Sequence, residues 1–193
     1  MSLGDFVAPD WSAPLDVAAY VDATPRTARI KGMFPSAVAD GARSRGLALP
    51  SARERYLPFA DVPQSEFAML LVEAAKGFFP DAPLRGALRE LGRSAYPVFV
   101  QSTVGRVVLS TAADMPSALS AAAKAYTVAL PTCRVDVTEI SKQRAVLSLK
   151  HIYYFLDSHH VGVFEGLARS CGVRLQTRVR MKTAFEGDFE LTW

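Results

Sequence analysis

The chain has 193 residues and a net charge of +3, with 50% hydrophobic and 21% charged residues. A chain of this length can bury about 70% of the surface that it exposes when unfolded, enough for one core. The composition excludes intrinsic disorder, and two cysteines are too few for a disulfide framework. No apolar run reaches about 18 residues, so no membrane span is predicted. No secretory signal is visible, and the cytoplasm is the expected location.

Positive charge is not concentrated in one part of the chain. The largest local excess lies in residues 141–193, with eight Lys/Arg against five Asp/Glu. Proteins that bind nucleic acids usually carry a dense basic surface. We therefore do not expect a nucleic-acid partner.

Helical patterns dominate the first two thirds of the chain. Residues 1–14 contain two prolines and are predicted to form a flexible tail, which Trp11 could anchor. Residues 15–130 are predicted to be helical, because apolar residues recur at three- and four-residue spacing. Helices are predicted over residues 15–21, 34–45, 63–78 with Asp61 as N-cap, 84–91, 97–109 beginning at Pro97, and 115–126 with Asp114 as N-cap.

After Pro131 the apolar period changes from helical to two. Alternation predicts strands over residues 133–138 and 145–150, joined at 141–143, and a second pair over 173–182 and 185–193. Between the pairs, a helix is predicted from Asp157-Ser158 to Gly172. The expected fold class is α+β, a single domain over residues 15–193. Its N-terminal helical part packs on a C-terminal four-stranded antiparallel sheet (ββαββ, residues 131–193), with the strands in meander order.

Two basic rows have both a binding and a structural interpretation. The strand residues Arg178, Arg180 and Lys182 are predicted to pair with Glu190, Asp188 and Glu186 across a hairpin, rather than to bind phosphate. The helical stripe Arg85, Arg89 and Arg93 is either an anion site or the solvated side of its helix, and the second interpretation is favoured.

The chemistry-bearing residues are sparse. The three histidines and two thiols have no metal-ligand spacing, so no metal, cofactor or catalytic residue is predicted, and enzyme activity is not expected. Cys133 and Cys171 lie on apolar faces and are predicted to pack as small hydrophobes. His159 and His160 fall at a helix start, which favours a neutral surface or hydrogen-bonding role. The spacing from Gly162 to Gly166 is predicted to let this helix pack closely on the sheet.

Several motifs in this order resemble one family. They are Ile30-Lys31-Gly32-Met33-Phe34, Arg53-x-x-Tyr56-Leu57-Pro58-Phe59-x-Asp61-x-Pro63, Leu91-Gly92-Arg93, Pro97-x-Phe99, Ser102-Thr103, Gly105-Arg106, the Gly162–Gly166 helix and the terminal Trp193. From about residue 28 to 193 the chain resembles a family of myxobacterial paralogues known as a domain of unknown function. That family is distantly similar to a fold group comprising H-NOX haem domains, TRAPP vesicle-tethering subunits and vinyl-reductase-like ligand-binding domains. The resemblance implies a helical part, an antiparallel sheet with an inserted helix, and a ligand cavity between them.

The chain departs from the ligand chemistry of these relatives. Residues 35–150 contain no histidine, and residues 146–151 lack the tyrosine and arginine with which H-NOX domains hold the haem propionates. The vinyl-reductase-like members carry cysteine clusters, and TRAPP subunits carry an acylated cysteine in the helical part. Cys133 and Cys171 match neither pattern. The resemblance therefore implies neither haem in the H-NOX manner nor covalent acylation.

The expected function is a non-enzymatic sensory or regulatory domain that binds a small apolar ligand or lipid. Six apolar residues are predicted to line the cavity, although the same side chains would serve equally as packed core: Phe67, Leu70, Leu71, Tyr96, Phe99 and Val100. The alternative is an interaction module that forms a homodimer or binds a protein partner. Tyr153-Tyr154-Phe155 is its candidate surface, although buried core is the favoured interpretation of this run. A haem or gas sensor is a less favoured alternative.

Overall fold

The computed structural model describes the backbone of residues 4–101 and 114–193, and the side chains of residues 4–96 and 114–193. The helices are α1 Val17–Asp22, α2 Met33–Arg43, α3 Gln64–Phe78, α4 Leu84–Gln101, α5 Met115–Ala129 and α6 His159–Ser170. The strands are β1 Arg29–Lys31, β2 Asp61–Pro63, β3 Arg134–Ile140, β4 Arg144–Lys150, β5 Gln176–Thr183 and β6 Glu186–Thr192. Within the described ranges, no helix is long and apolar enough to cross a membrane.

The last four strands form one antiparallel sheet with the order β3-β4-β6-β5, which confirms the predicted α+β class. The predicted meander order is wrong, because β6 and not β5 lies beside β4. Burial explains this arrangement. Phe189 and Leu191 of β6 are fully buried, whereas β5 buries only Val179, leaves Met181 exposed and otherwise carries polar residues. The apolar strand therefore occupies the centre and the charged strand the edge.

The hairpin of β5 and β6 has most of the predicted register. Arg178 lies opposite Glu190 and Arg180 opposite Asp188. The third predicted pair is wrong, because the register shifts between Met181 and Thr183. Lys182 Nζ instead reaches Asp188 Oδ1 at 2.7 Å, so this carboxylate binds two cations.

Two predicted helix starts are wrong. Asp61 is not an N-cap: it belongs to β2, which pairs with β1 through Ile30 and Val62, and α3 begins after Pro63. Pro97 begins no helix, because α4 already runs from Leu84 to Gln101. The rest of the helix predicted over 97–109 lies outside the described residues. Asp114 does cap α5, since its carboxylate accepts a hydrogen bond from Ser117 N at 2.9 Å.

Helices α4 and α6 cross at backbone contact. A Cβ on Gly162 would lie 2.0 Å from Arg89 O, and a Cβ on Gly92 would lie 2.0 Å from His159 O. Gly166 is almost as tight, at 2.6 Å from Arg93 O. Only glycine permits this approach. The glycines therefore face a helix and not the sheet, which corrects the predicted packing partner.

Ion pairs border this crossing. Glu165 of α6 accepts hydrogen bonds from both Arg89 and Arg93 of α4, and Arg85 pairs with Asp157 just before α6. Glu165 keeps 11% of its side-chain surface exposed, so screening by water is limited. The arginine stripe is therefore neither an open anion site nor a solvated face. It joins the two helices.

The N-terminal segment lies along the free edge of the sheet. Val7 pairs with Val179 of β5 through two backbone hydrogen bonds, of 2.9 and 2.8 Å. The guanidinium of Arg180 lies 4.4 Å from the Phe6 ring centroid, and that of Arg89 lies 4.4 Å from Trp11. Trp11 thus contacts the body of the protein, as expected of an anchor. The flexibility of residues 1–14 stays a prediction.

One core cluster includes residues from both the helical part and the ββαββ part. Phe164 of α6 packs on Phe189 of β6 with 5.7 Å between ring centroids. Tyr154 and Phe155 are buried in the same core, and Tyr153 is half-buried. This run therefore belongs to the core, the interpretation that the sequence favoured, and does not form an exposed interaction surface.

The close contact between α4 and α6 predicts that glycine-to-alanine substitutions lower the free energy of unfolding at the contact but not elsewhere on α4. Gly162→Ala should lower the free energy of unfolding by about 3 kcal/mol, because its Cβ would collide with backbone atoms that belong to a helix. Gly86→Ala on α4 is the matched control. Its Cβ meets nothing closer than Trp11 Cβ at 4.0 Å, so it should keep or raise stability. Urea denaturation of both variants measures the difference, and equal losses would contradict the contact.

Candidate functional site

A cavity of about 270 Å³ lies between the helical part and the first turn of α6. Its walls come from α2, α3, α4 and α5, and from Tyr154 in the segment that leads into α6. The described lining residues are mostly apolar: Ile30, Phe34, Ala37, Val38, Gly41, Arg45, Phe67, Phe78, Leu91, Ser94, Ala95, Tyr96, Ala122, Ala125, Tyr126, Ala129, Leu130, Tyr154, His159, His160 and Val163.

The outer end of the cavity is apolar with one cation. Phe34, Val38 and Phe78 are partly exposed there. Arg45 is exposed, and its guanidinium lies 4.2 Å from the Phe78 ring centroid. Among the described lining residues, Arg45 is the only one with a permanent charge.

The inner end of the cavity is a buried cluster of aromatic rings. Phe67 meets Tyr154 edge-on, with 5.0 Å between centroids, and Tyr154 lies 4.6 Å from the ring of His160. Tyr126 and His159 complete the cluster. His159 and His160 are 4% and 1% exposed, so the predicted surface location of this pair is wrong.

Hydrogen bonding in this cluster is incomplete. Tyr126 Oη lies 2.8 Å from His160 Nδ1, which confirms a hydrogen-bonding role for that histidine. His159 Nδ1 and His160 Nε2 are buried without a hydrogen-bond partner among the described residues. Such atoms are rare in native proteins because each loses its hydrogen bonds to water on folding.

Burial keeps the whole cluster uncharged. Desolvation lowers the pKa of His159 to about 3. Desolvation, reinforced by the neighbouring His159, also places the pKa of His160 well below its ordinary 6.5. The pKa of Tyr126 is raised by burial, so its hydroxyl stays protonated. The inner end therefore offers neutral donors and acceptors on an aromatic wall.

The six residues predicted to line a cavity divide into three groups. Phe67 and Tyr96 line it. Leu70 and Leu71 are fully buried in the core and are not among its lining residues. The side chains of Phe99 and Val100 lie outside the described residues. A ligand-binding role for any of the six stays a prediction.

Sequence patterns alone do not assign Tyr126, His159 and His160 to a cavity. They predict a helix end at Tyr126, and a helix start with a surface or hydrogen-bonding role for the histidine pair. The adjacent position of the two histidines at a helix start is the one sequence feature that could have indicated the cluster. Both rings are buried when another helix covers that helix start. The close glycine contact with α4 provides that cover.

The thiols and other titratable groups of the described residues form no second cluster. Cys133 is buried, and desolvation raises the pKa of its thiol to about 12, so it packs as an unreactive side chain. No group of three or more metal-binding side chains occurs in the part of the chain that the structure describes. His151 lies near Glu186 and Tyr153, while Asp157 binds Arg85.

These features define an H-NOX-like α+β domain, and comparison with solved structures shows the same. An H-NOX protein from K. algicida in the unliganded Fe(II) state is 14% identical with a TM-score of 0.64, covering 84% of this chain and 96% of that chain. A mutant H-NOX protein from S. oneidensis in the Fe(II) state is 11% identical with a TM-score of 0.68, covering 84% and 95%. A structure from work on heme distortion in the H-NOX family is 12% identical with a TM-score of 0.59, covering 84% and 92%.

The family is shown by sequence. The profile of the DUF2378 family, described as proteins of unknown function, matches residues 24–193, and the chain belongs to that family. Among curated proteins, none matches this sequence significantly. Both resemblances expected from the sequence, to a domain of unknown function and to the H-NOX fold, are thus confirmed.

The buried histidines predict a pH-dependent stability. Between pH 5 and about 6.5 they bind protons when unfolded but not when folded, so the free energy of unfolding rises with pH. Acidification should therefore destabilise the protein by up to about 1.4 kcal/mol per pH unit for each buried histidine. Urea denaturation from pH 7 to pH 5 measures this slope. His160→Phe should remove about half of it, and the control His151→Gln should retain it. An unchanged slope in His160→Phe would contradict a neutral, buried His160.

Proposed function

We propose that this protein is a non-enzymatic sensory or regulatory domain that binds a small, largely apolar molecule in the cavity. The observation that carries the proposal is the cavity itself, about 270 Å³ of mostly apolar space at the junction of the helical part and the ββαββ part. Ligand pockets are typically apolar with a few convergent polar groups, and they begin at about 300 Å³. The fold shared with H-NOX structures supports the same location for a ligand.

The volume restricts the size of the ligand. An engineered apolar cavity of about 150 Å³ accommodates one benzene molecule. About 270 Å³ therefore suits a bicyclic aromatic molecule or one short acyl chain. A lipid with two full chains does not fit within this volume.

We propose that the ligand is not haem. A macrocycle of four pyrrole rings with propionates needs far more space than a cavity of about 270 Å³ offers. Propionates also require cations, and the only charged side chain among the described lining residues is Arg45, at the outer end. His159 and His160 are buried, whereas Arg45 is exposed. Cavity size and charge placement both support a smaller ligand.

The neutral cluster supports a binding role over a catalytic one. Nucleophilic and general acid–base sites commonly place a nucleophile beside a base that a third group orients. Tyr126 and His160 form a hydrogen-bonded pair, but no carboxylate is among the described lining residues. The pair is therefore suited to recognition rather than to proton transfer.

Ligand binding at this junction would couple the two parts of the domain. A molecule in the cavity would contact α2, α3 and α5 on one side and the first turn of α6 on the other. Because α6 connects β4 to β5 and is held against α4, the ligand would favour one arrangement of α2, α3 and α5 against α4, α6 and the sheet. A population shift of this kind is how a binding domain reports its ligand.

A protein-interaction module remains the second candidate because of one surface feature. Phe59 and Val128 are 70% and 50% exposed and line the same shallow hollow, together with Met33. Light scattering during size-exclusion chromatography tests this candidate. A dimer that Phe59→Ser dissociates would support it, and a concentrated wild-type protein that stays monomeric would contradict self-association.

Filling the cavity should abolish binding without unfolding the protein. Ala122 lines the cavity on α5, so Ala122→Phe occupies its space, whereas the half-exposed neighbour Ala121 is not a lining residue and Ala121→Phe is the matched control. Thermal shift with 2-naphthol and decanoic acid is the assay. We expect a stabilisation of several degrees in wild type and Ala121→Phe, and none in Ala122→Phe. No response in wild type to either compound, with no adduct in native mass spectra of the purified protein, would refute the proposal.

Haem is tested separately by absorption spectroscopy. The purified protein should be colourless and should develop no Soret band when haem is added in excess. A stoichiometric Soret band that Ala122→Phe abolishes would show that the cavity does bind haem, and the small-ligand proposal would then be wrong.

A further inference from the structure

Two residues that line the cavity each carry a buried polar atom with no hydrogen-bond partner among the described residues. His159 Nδ1 and His160 Nε2 belong to side chains that are more than nine-tenths buried, and both residues line the cavity. A buried polar atom left unpaired destabilises the fold, because it has lost its hydrogen bonds to water without replacing them. A ligand group that pairs with these atoms would recover that stability, whereas a purely apolar ligand would not.

The geometry of the Tyr126–His160 pair defines what His160 Nε2 requires. If Tyr126 donates its proton to Nδ1, then Nε2 carries a hydrogen and needs an acceptor. If Nδ1 carries the hydrogen and donates to Tyr126, then Nε2 needs a donor. A hydroxyl group meets either need, because its oxygen both donates and accepts.

The surroundings exclude a charged ligand group at this end. Tyr126, Tyr154, Phe67 and both histidines form an aromatic, uncharged wall, and the exposed Arg45 is not part of this ring cluster. A carboxylate brought here would lose its hydration without a counterion, which is costly. An acid could enter only with its carboxylate facing outward toward Arg45.

We propose that His160, with Tyr126 and His159, selects ligands that carry one neutral hydroxyl group on an apolar ring system. This inference rests on the proposed function and specifies its ligand class: phenols, naphthols or alicyclic alcohols of one or two rings, bound with the hydroxyl toward α6. Recognition by one hydrogen-bonding group in an apolar pocket supplies orientation as well as affinity.

The test compares 2-naphthol with 2-methylnaphthalene, in which a methyl group of similar size replaces the hydroxyl. Fluorescence titration gives a Kd for each compound, and the ratio of the two reports the preference for the hydroxyl. Replacement of His160 by Phe should reduce this ratio about tenfold relative to wild type, the size expected for one buried hydrogen bond. The greater hydrophobicity of the methyl compound affects wild type and variant alike and cancels in the comparison.

A second histidine–tyrosine pair in this chain provides the control for the His160→Phe experiment, and NMR provides a second measurement. His151 and Tyr153 form a similar pair, with 3.4 Å between Tyr153 Oη and His151 Nδ1, and neither residue lines the cavity. His151→Gln should leave the ratio unchanged. If His160→Phe does not fold, ¹⁵N NMR of the histidine rings in the wild-type protein decides: 2-naphthol should shift His160 Nε2 strongly, and 2-methylnaphthalene should not.

The outcomes separate this inference from the proposed function. If both compounds bind in the cavity with the same ratio in wild type and His160→Phe, a water molecule alone satisfies the imidazoles. Hydroxyl selection is then wrong, while the cavity remains a binding site. If Ala122→Phe and wild type are alike in binding neither compound, the proposed function itself fails.

Discussion

The backbone contact between α4 and α6 is the constraint on which the rest of the structure depends. Gly92 and Gly162 lie where any Cβ would overlap the opposite helix, and Glu165 accepts hydrogen bonds from two arginines of α4 beside them. Because α6 joins β4 to β5, the contact fixes the sheet against the helical part. It also decides the position of the first turn of α6, which begins at His159. The cavity has its inner wall there because the two helices cannot separate or rotate without breaking this contact.

The buried ring cluster around His159 and His160 lowers the stability of the fold, at the junction between the helical part and the ββαββ part. A well-packed core of this size would ordinarily hold leucine or phenylalanine at positions 159 and 160. Instead two neutral imidazoles are buried, and each lacks one hydrogen bond among the described residues. Unpaired buried polar groups of this kind are explained by a functional role or by an ordered water or ion that pairs with them. The lining residues of the cavity thus combine an apolar wall with a few neutral polar groups.

The sequence predicts features that depend on neighbouring residues, such as the register of a hairpin. It does not predict features that depend on contacts between distant segments, such as the strand order and the partner of α6. Alternation and charge placed Arg178 opposite Glu190, because both signals lie within one hairpin. The central position of β6 was not predictable in this way, since it depends on which strand pairs with β4. Likewise, the spacing of Gly162 and Gly166 indicated a close approach, but only the structure shows that the partner is α4. In the structure, Phe67 and Tyr96 line the cavity, whereas Leu70 is packed in the core. Helical periodicity shows only that all three side chains face inward, so it cannot distinguish cavity wall from packed core.

The most direct test of the account is a crystal structure of the protein with 2-naphthol. The account predicts the ring system in the cavity between α2, α3, α4 and α5, with the naphthol oxygen within about 3.2 Å of His160 Nε2. It also predicts an unchanged contact at Gly92 and Gly162. A structure in which neighbouring side chains fill this space, with the ligand absent or bound elsewhere, would contradict it.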